Sequence, residues 1–223
     1  MDVSDAGRAG MTEPAVLGTG GPSPPDTRAP VVALVGSAGG LDAVVEVLEP
    51  LPLAFAASVV VLLHQAPTAE GVLAHVLGRR CHRPVRAIRS GELLRPGPVL
   101  VVPPGRHALA TAEGTIVLVA SGGPPPYRPS ADLLLTTLAV TAGSRVVAVV
   151  LSGRGNDGAT GAVAVHDLGG TVLATDRASS AYFAMPEAAI GRDDAVDLVL
   201  PVTRIAAVLV DLVGPAPARG RAR

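Results

Sequence analysis

The chain has 223 residues, of which 48% are hydrophobic, so it is long and apolar enough to bury the core of one domain. Only 2% of the residues are aromatic and none is Trp, which argues against the aromatic platforms on which nucleic-acid bases or sugars stack. The formal net charge of -1 provides no field that would attract nucleic acid or an anionic membrane surface. We therefore expect a monomeric domain that has no nucleic-acid partner and that acts on proteins or neutral groups.

The cysteine content and the hydropathy pattern predict a cytoplasmic protein. Cys81 is the single cysteine, so no internal disulfide can form, which fits a reducing compartment. Its neighbour His82 does not complete a metal site, because two adjacent residues are not a ligand set. No apolar run approaches the length of about 20 residues that spans a membrane. The N-terminus also lacks the apolar segment of a secretory signal, so we expect neither secretion nor membrane insertion.

Composition divides the chain into three parts. Residues 1–29 are rich in Gly, Pro, Ala, Ser, Thr and Asp without apolar periodicity, and we expect a disordered leader. Residues 214–223 mix Pro, Ala and Gly with three arginines, which predicts a short basic tail without regular structure. Residues 30–213 remain for the folded domain.

Within that domain, short β-branched runs alternate with helical patterns, which is typical of an α/β fold. Residues 31–35 form a short apolar strand that runs through Gly-Ser-Ala-Gly-Gly into a helix from Leu41. Residues 58–63 form a second buried strand that ends on His64, and residues 145–152 form a third that runs into a glycine-rich turn. We predict a doubly wound, mostly parallel sheet with helices on both faces.

Other segments complete the predicted order. Residues 99–102 and 115–119 are too close for a crossover helix, so they predict a small antiparallel hairpin excursion. Ser130 is placed to cap a helix over residues 131–142, and Pro186 is placed to start a later helix. Further predicted elements are a helix near 70–77, a helix over 159–168, strands over 171–175 and 195–200, and a last helix over 203–212.

Three polar residues follow buried strands directly: Ser37, His64 and Asp157. If the strands are parallel, these side chains emerge at the carboxyl edge of the sheet, where ligands and catalytic groups of open α/β sheets are found. Ser37 could attack a carbonyl, His64 could take its proton, and Asp157 could orient the imidazole. The amides of Ala38, Gly39 and Gly40, at the start of a helix, would then be oxyanion donors.

Plainer interpretations of these residues stay open. Ser37 could be only a helix cap, His64 could be structural, and Asp157 could make an Asx-turn. Gly36, Gly39 and Gly40 could cradle a phosphate, although the spacing fits neither the dinucleotide pattern nor a P-loop. From residue pattern alone, acyl transfer and phosphate binding remain alternatives.

Six longer blocks of sequence stand out in the chain: Val35-Gly36-Ser37-Ala38-Gly39-Gly40, His64-Gln65-Ala66-Pro67, Val102-Pro103-Pro104-Gly105-Arg106-His107, Arg128-Pro129-Ser130-Ala131-Asp132, Leu151-Ser152-Gly153-Arg154-Gly155-Asn156-Asp157-Gly158 and Met185-Pro186-Glu187-Ala188-Ala189-Ile190. In their order, and over about residues 31–213, they resemble the catalytic domain of the CheB protein-glutamate methylesterases of bacterial chemotaxis.

The resemblance implies hydrolysis of glutamyl methyl esters on chemoreceptors or related signalling proteins, and in some members deamidation of glutamines. The family's catalytic serine, histidine and aspartate fall on Ser37, His64 and Asp157. The resemblance implies a doubly wound α/β domain without a metal or an organic cofactor.

Three departures from the family pattern concern regulation and substrate choice. Residues 1–29 are too short for the receiver domain that usually precedes the catalytic domain, so we expect activity that does not depend on phosphorylation of this chain. Arg154 stands where the family often has Met, at a position whose main chain contributes to the oxyanion site. Tyr127 stands where many relatives have His.

Two other functions fit the same fold. One is a catalytically idle binding module that docks on a signalling partner. The other is a nucleotide-binding regulatory domain that uses the Gly36–Gly40 turn. We expect no tight nucleotide binding, because no Lys follows that turn and His64 occupies the place of a ribose-binding acid.

Overall fold

The computed structural model of the protein describes residues 29–66, 68–122 and 128–214. Three predicted features lie outside the described residues: the basic tail beyond Gly214, the leader except for its last residue, and Tyr127. The described strands are β1 (Val31–Gly36), β2 (Ser58–Leu63), β3 (Val85–Ala87), β4 (Glu92–Leu93), β5 (Val99–Val101), β6 (Arg106–Ala110), β7 (Thr115–Ala120), β8 (Val146–Val150), β9 (Thr171–Thr175) and β10 (Leu198–Leu200). The described helices are α1 (Gly40–Leu48), α2 (Leu73–Arg80), α3 (Ala131–Ala142), α4 (Ala159–Asp167), α5 (Ala184–Ile190) and α6 (Val202–Val213).

Seven strands form one parallel sheet in the order β10-β9-β8-β1-β2-β5-β3. The central strands β8, β1 and β2 are buried along their whole length. Such strands have helices on both faces, so their sequences are continuous runs of Val, Leu and Ala without alternation. The predicted doubly wound, mostly parallel sheet is confirmed.

Two apolar cores lie on the two faces of this sheet. Successive side chains of β1 point to opposite faces, so Ala33 and Val35 enter one core while Val32 and Leu34 enter the other. Helices α3, α4 and α5 cover the first face, and helices α1, α2 and α6 cover the second. The helices thereby bury both sides of the central strands and hold their carboxyl ends in one line.

A second, antiparallel sheet has the strand order β4-β7-β6, which confirms the predicted excursion but corrects one of its strands. The sequence predicts that residues 99–102 pair with residues 115–119, whereas β5 lies in the parallel sheet between β2 and β3. β6 pairs with β7 in the place predicted for residues 99–102. It begins directly after Gly105, a glycine in a left-handed conformation with φ 67°. β5 is buried on both faces, as a strand inside a parallel sheet must be, while β7 alternates in exposure.

The starts of two helices differ from the predictions by more than one residue. α2 begins at Leu73 rather than near residue 70. α5 begins at Ala184, so Pro186 is its third residue rather than its first. Proline fits there because the first four amides of a helix have no partner within the helix. None of the helices in the described ranges is long and apolar enough to cross a membrane.

Candidate active site

The carboxyl ends of β8, β1 and β2 bring Ser37 and His64 side by side. Gly36 of β1 is in register with Leu63 of β2, and Ser37 and His64 are the next residues on each strand. The His64 amide donates to the Gly36 carbonyl over 3.1 Å, so the parallel pairing continues past the strand ends. Neighbouring strands lie about 4.8 Å apart, and the two side chains therefore start from adjacent backbone positions.

The imidazole of His64 is hydrogen-bonded to the carboxylate of Asp157, 93 residues further along the chain. Nε2 of His64 lies 2.8 Å from Oδ2 of Asp157. The Asp157 side chain is 2% exposed and that of His64 is 13% exposed, so water has little access to the pair. The two ring nitrogens lie on different sides of the imidazole, and Nδ1 is therefore directed away from Asp157.

The carboxylate of Asp157 lies at the start of α3, where backbone amides that have no partner within the helix donate to it. Oδ2 accepts from the Ala131 amide at 2.6 Å, and Oδ1 accepts from the Asp132 amide at 3.0 Å and the Ser130 hydroxyl at 3.1 Å. Burial by itself raises the pKa of Asp157, but the hydrogen bonds from His64 and from these amides outweigh it and hold the pKa below its ordinary value. The carboxylate is therefore ionised while it faces His64.

Asp132 has the reciprocal arrangement at the start of α4. Its Oδ1 accepts from the Gly158 amide at 2.9 Å and the Gly161 amide at 2.7 Å. Burial raises the pKa of Asp132, the two amides oppose this, and the charge of Asp157 adds to the rise. Asp157 thus caps α3, the helix that contains Asp132, and Asp132 caps α4, the helix that follows Asp157. The two caps hold the starts of α3 and α4 together beside the His64–Asp157 pair.

Asp132 lies in the first turn of α3, and the local sequence does not indicate its contacts with α4. Its partners on α4 lie more than 25 residues away, so no local pattern shows them. Ser130 does cap α3 as predicted, accepting from the Leu133 amide at 3.3 Å. His107 on β6 adds a contact that the sequence does not show, since its Nδ1 accepts from the Ser130 amide at 3.0 Å.

The turn after β1 presents two backbone amides beside Ser37. Among the described residues, no hydrogen bond takes up the amides of Ala38 and Gly39, whereas the Gly40 amide donates to the Ser37 carbonyl at 2.9 Å. Gly39 has φ 71°, a left-handed conformation that turns the chain sharply into α1. Of the three amides that the sequence offers as oxyanion donors, those of Ala38 and Gly39 thus have the available hydrogens.

Ser152 fixes this turn, a role that the local sequence does not indicate. Its buried hydroxyl donates to the Ala38 carbonyl over 2.9 Å and accepts from the Tyr182 amide over 2.9 Å. The Ser37 amide in turn donates to the Ser152 carbonyl at 3.0 Å. We refer to residues 37–40, which begin with the candidate nucleophile Ser37, as the nucleophile turn, and these contacts tie it to the segment that follows β8.

The glycines of this turn have packing reasons that do not involve a phosphate. A Cβ at Gly36 would lie 3.0 Å from the Ser152 carbonyl oxygen, and one at Gly40 would lie 2.8 Å from Cδ2 of Leu63. Both glycines allow close approach of β1 and α1 to their neighbours. The described residues also contain no group of three or more His, Cys, Asp or Glu side chains arranged to hold a metal ion.

Arg154 is the remaining residue that the sequence places at the site. Gly153, directly before it, packs so closely that a Cβ there would lie 3.0 Å from Cβ of Ser37. The Arg154 side chain is exposed, and its guanidinium carbon lies 4.4 Å from the centroid of the Tyr182 ring. Its main chain is therefore near Ser37, while its charge is at the surface.

Comparison with known proteins gives one consistent result. The family model described as CheB methylesterase matches residues 32–209. A protein-glutamate methylesterase/protein-glutamine glutaminase of Moorella thermoacetica is 40% identical over 82% of this chain and 44% of its own length. The protein-glutamate methylesterase FrzG of Myxococcus xanthus is 37% identical over 82% of this chain and 55% of its own length.

A solved structure agrees with these matches. The crystal structure of the Thermotoga maritima CheB methylesterase catalytic domain superimposes with a TM-score of 0.78 and 32% identity. The match covers 84% of this chain and 100% of that one. The chain spans about half the length of the curated relatives, and it covers the whole of that solved catalytic domain.

Proposed function

Because the chain belongs to the CheB methylesterase family, we propose that it hydrolyses methyl esters of glutamyl side chains on a protein substrate. The substrate class is a chemoreceptor or a related signalling protein. The observation that carries this proposal is the hydrogen bond between His64 Nε2 and Asp157 Oδ2, 2.8 Å long, at the strand end beside Ser37. Ser37, His64 and Asp157 act as nucleophile, general base and orienting carboxylate.

The first half of the reaction transfers the glutamyl group to the enzyme. Ser37 Oγ attacks the ester carbonyl while its proton passes to Nδ1 of His64, the nitrogen directed away from Asp157. The tetrahedral intermediate carries its negative oxygen towards the amides of Ala38 and Gly39. The C–O bond to the methoxy group then breaks, and the proton on His64 leaves with it as methanol.

The second half returns the enzyme to its starting state. Water attacks the acyl carbon, and His64 takes one of its protons and passes it to Ser37 Oγ as the acyl bond breaks. The product is the free glutamate carboxylate. A glutamine side chain would follow the same path with ammonia as the leaving group, which agrees with the glutaminase activity in the names of several relatives.

Asp157 has two roles in this mechanism. Its ionised carboxylate accepts the Nε2 proton, so Nδ1 is the unprotonated nitrogen that serves as the base. It also stabilises the imidazolium that forms in each half-reaction. The amides of α3 hold the carboxylate in place and replace the water that burial removes.

The decisive experiment measures methanol release from a methyl-labelled receptor fragment, with Ser37→Ala as the test variant. We expect hydrolysis by the wild type and a loss of about 10³-fold or more in Ser37→Ala, because binding and the oxyanion donors retain only part of the rate enhancement. Ser144→Ala is the matched control, since Ser144 is exposed and precedes β8 at the opposite edge of the sheet.

Two results would overturn the proposal. A folded Ser37→Ala variant that retains near-normal methanol release would show that Ser37 is not the nucleophile. A wild type that binds methylated receptor fragments without releasing methanol would indicate the idle binding module instead. Calorimetry with ATP and NAD tests the nucleotide alternative, and saturable micromolar binding would favour it.

A further inference from the structure

The edge of the candidate active site carries an exposed arginine stacked on an exposed tyrosine. The guanidinium carbon of Arg154 lies 4.4 Å from the ring centroid of Tyr182, a residue that is 39% exposed. A cation in this position is attracted by the negative face of the ring, which limits the conformations of the long arginine side chain. We refer to Arg154 and Tyr182 together as the site rim.

The site rim is in contact with the nucleophile turn. A Cβ at Gly39 would lie 3.4 Å from Cδ2 of Tyr182, so the tyrosine ring packs against the turn that follows Ser37. The Gly153 amide donates to the Tyr182 carbonyl at 2.9 Å, which fixes the backbone just before Arg154. The guanidinium of Arg154 therefore lies one tyrosine ring away from the turn at which a substrate ester would be placed.

The charge of Arg154 is not neutralised within the described part of the chain. A second arginine of the same region, Arg177, stacks on Phe183 with 4.3 Å between guanidinium carbon and ring centroid, and it forms an ion pair with Glu187. Arg154 has a ring below it but, among the described residues, no carboxylate beside it. Asp157, the nearest acid along the chain, is buried against His64 and α3. The site rim is therefore positively charged and open to solvent.

We propose that Arg154, held by Tyr182, binds carboxylates of the substrate segment, so that the enzyme prefers glutamyl esters with acidic neighbours. This inference rests on the proposed esterase function. A segment with several glutamates, only some of them esterified, has free carboxylates near each ester, and every turnover adds one more. The guanidinium fork matches a carboxylate in two parallel hydrogen bonds, which an apolar methionine at this position could not supply.

The test uses two peptides that share one glutamyl methyl ester and differ only in its flanking residues, which are Glu in one and Asn in the other. Methanol release at low salt should favour the Glu peptide by about two- to fivefold in kcat/KM, mostly through KM, as expected for an exposed ion pair. Raising the salt concentration should weaken the preference, because at 0.1 M salt exposed charges are screened over about 10 Å.

Variants assign the preference to the site rim. Arg154→Met should reduce the ratio between the two peptides to near one. Tyr182→Leu should reduce it in part, whereas Tyr182→Phe, which keeps the ring, should retain it. Arg79→Met is the matched control: it removes an exposed arginine from the last turn of α2, at the opposite edge of the sheet, and should leave the ratio as in the wild type.

The outcomes separate this inference from the function on which it rests. If the folded wild type hydrolyses both peptides at equal rates, the inference is wrong and the esterase function stands. If the preference exists but survives in Arg154→Met, the site rim does not carry it, and the inference is again wrong. If the wild type hydrolyses neither peptide nor a methylated receptor fragment, the esterase function fails, and the inference falls with it.

Discussion

His64 and Asp157 are joined by a hydrogen bond at the edge of the sheet where Ser37 emerges, and this geometry predicts that the three residues act together. Ser37→Ala and His64→Ala should each lower kcat by about 10³-fold or more, since serine and histidine serve the same step. The double variant should be hardly slower than the worse single variant. Methanol release measured on all three variants checks this, and losses that multiply would contradict a shared step.

Asp157→Asn should lower the rate less than Ser37→Ala does, while the domain stays folded. The carboxylate accepts from His64, the Ala131 and Asp132 amides and the Ser130 hydroxyl, and a single amide oxygen cannot replace both carboxylate oxygens. His64 then loses the charge that stabilises its imidazolium form. Rate measurements together with circular dichroism test this expectation. An Asp157→Asn variant with the wild-type rate would show that the Asp157 carboxylate has no role in the mechanism.

The lowered pKa of Asp157 also predicts how stability depends on pH. A carboxylate whose pKa is lower in the folded than in the unfolded chain stabilises the fold above its unfolded pKa of about 3.9. This stabilisation is lost as the pH falls through the folded value. The difference in unfolding free energy between wild type and Asp157→Asn should therefore shrink below about pH 4. Urea unfolding between pH 2.5 and 7 measures it, and a difference that grows towards acid pH would contradict the direction.

Substitution of Gly153 tests the close packing next to Ser37. A Cβ there would lie 2.2 Å from Sδ of Met185, so Gly153→Ala must displace the start of α5 or the nucleophile turn. We expect a loss of about 1–3 kcal/mol in unfolding free energy, together with reduced hydrolysis. Gly78→Ala in α2 is the control, because a Cβ there would lie 3.7 Å from Cβ of Val85, an ordinary van der Waals distance. That change should stabilise the protein by about 0.5–1 kcal/mol, since alanine is the better helix former.

At the scale of elements, the paired starts of α3 and α4 predict that Asp132 supports the site without touching the substrate. Asp132→Ala leaves the Gly158 and Gly161 amides without their acceptor, which should cost about 1–2 kcal/mol of stability. The loss should appear in kcat more than in KM, because Asp157 adjoins Gly158 and moves with the start of α4.

Asp132→Asn provides the matched control for that change. Both amides bond to the same oxygen, Oδ1, which asparagine retains. Burial raises the pKa of Asp132, so its ionised form is less favourable in the folded protein than in the unfolded chain at neutral pH. Asp132→Asn should therefore be at least as stable as wild type near pH 7 and should retain most of its activity. Urea unfolding and kcat decide, and equal losses in both variants would show that the charge rather than the cap matters.

At the scale of the whole molecule, the central sheet couples the two cores. Leu138 of α3 and Leu209 of α6 are fully buried on opposite faces of the sheet. Replacing either leucine with alanine should lower the unfolding free energy by about 2–5 kcal/mol, the range for a cavity in a packed core. Because both faces share the same strands, each variant should keep a single unfolding transition by circular dichroism. A separate early transition in one variant would show that the faces unfold independently.

Local sequence pattern was sufficient for the elements that carry the catalytic candidates. β1, β2 and β8 are runs of apolar β-branched residues that end in a glycine turn or a histidine, so their positions and their parallel arrangement follow from composition and spacing. The start of α3 follows in the same way from Ser130, whose hydroxyl caps the helix. Ser37, His64 and Asp157 could be predicted as neighbours because parallel strands place their carboxyl ends at one edge.

Sequence alone determined, in this protein, the fold class, the central strands β1, β2 and β8 and the polar residues that follow them, because these depend on periodicities of a few residues. The tertiary structure decided the rest: that β5 lies inside the parallel sheet, that Nε2 of His64 faces Asp157, that Asp132 and Asp157 cap each other's helices, and that Arg154 stacks on Tyr182. Each of these arrangements brings together residues that lie more than a dozen positions apart in the sequence. Such contacts depend on how the helices pack on the sheet, which no local pattern in the chain records.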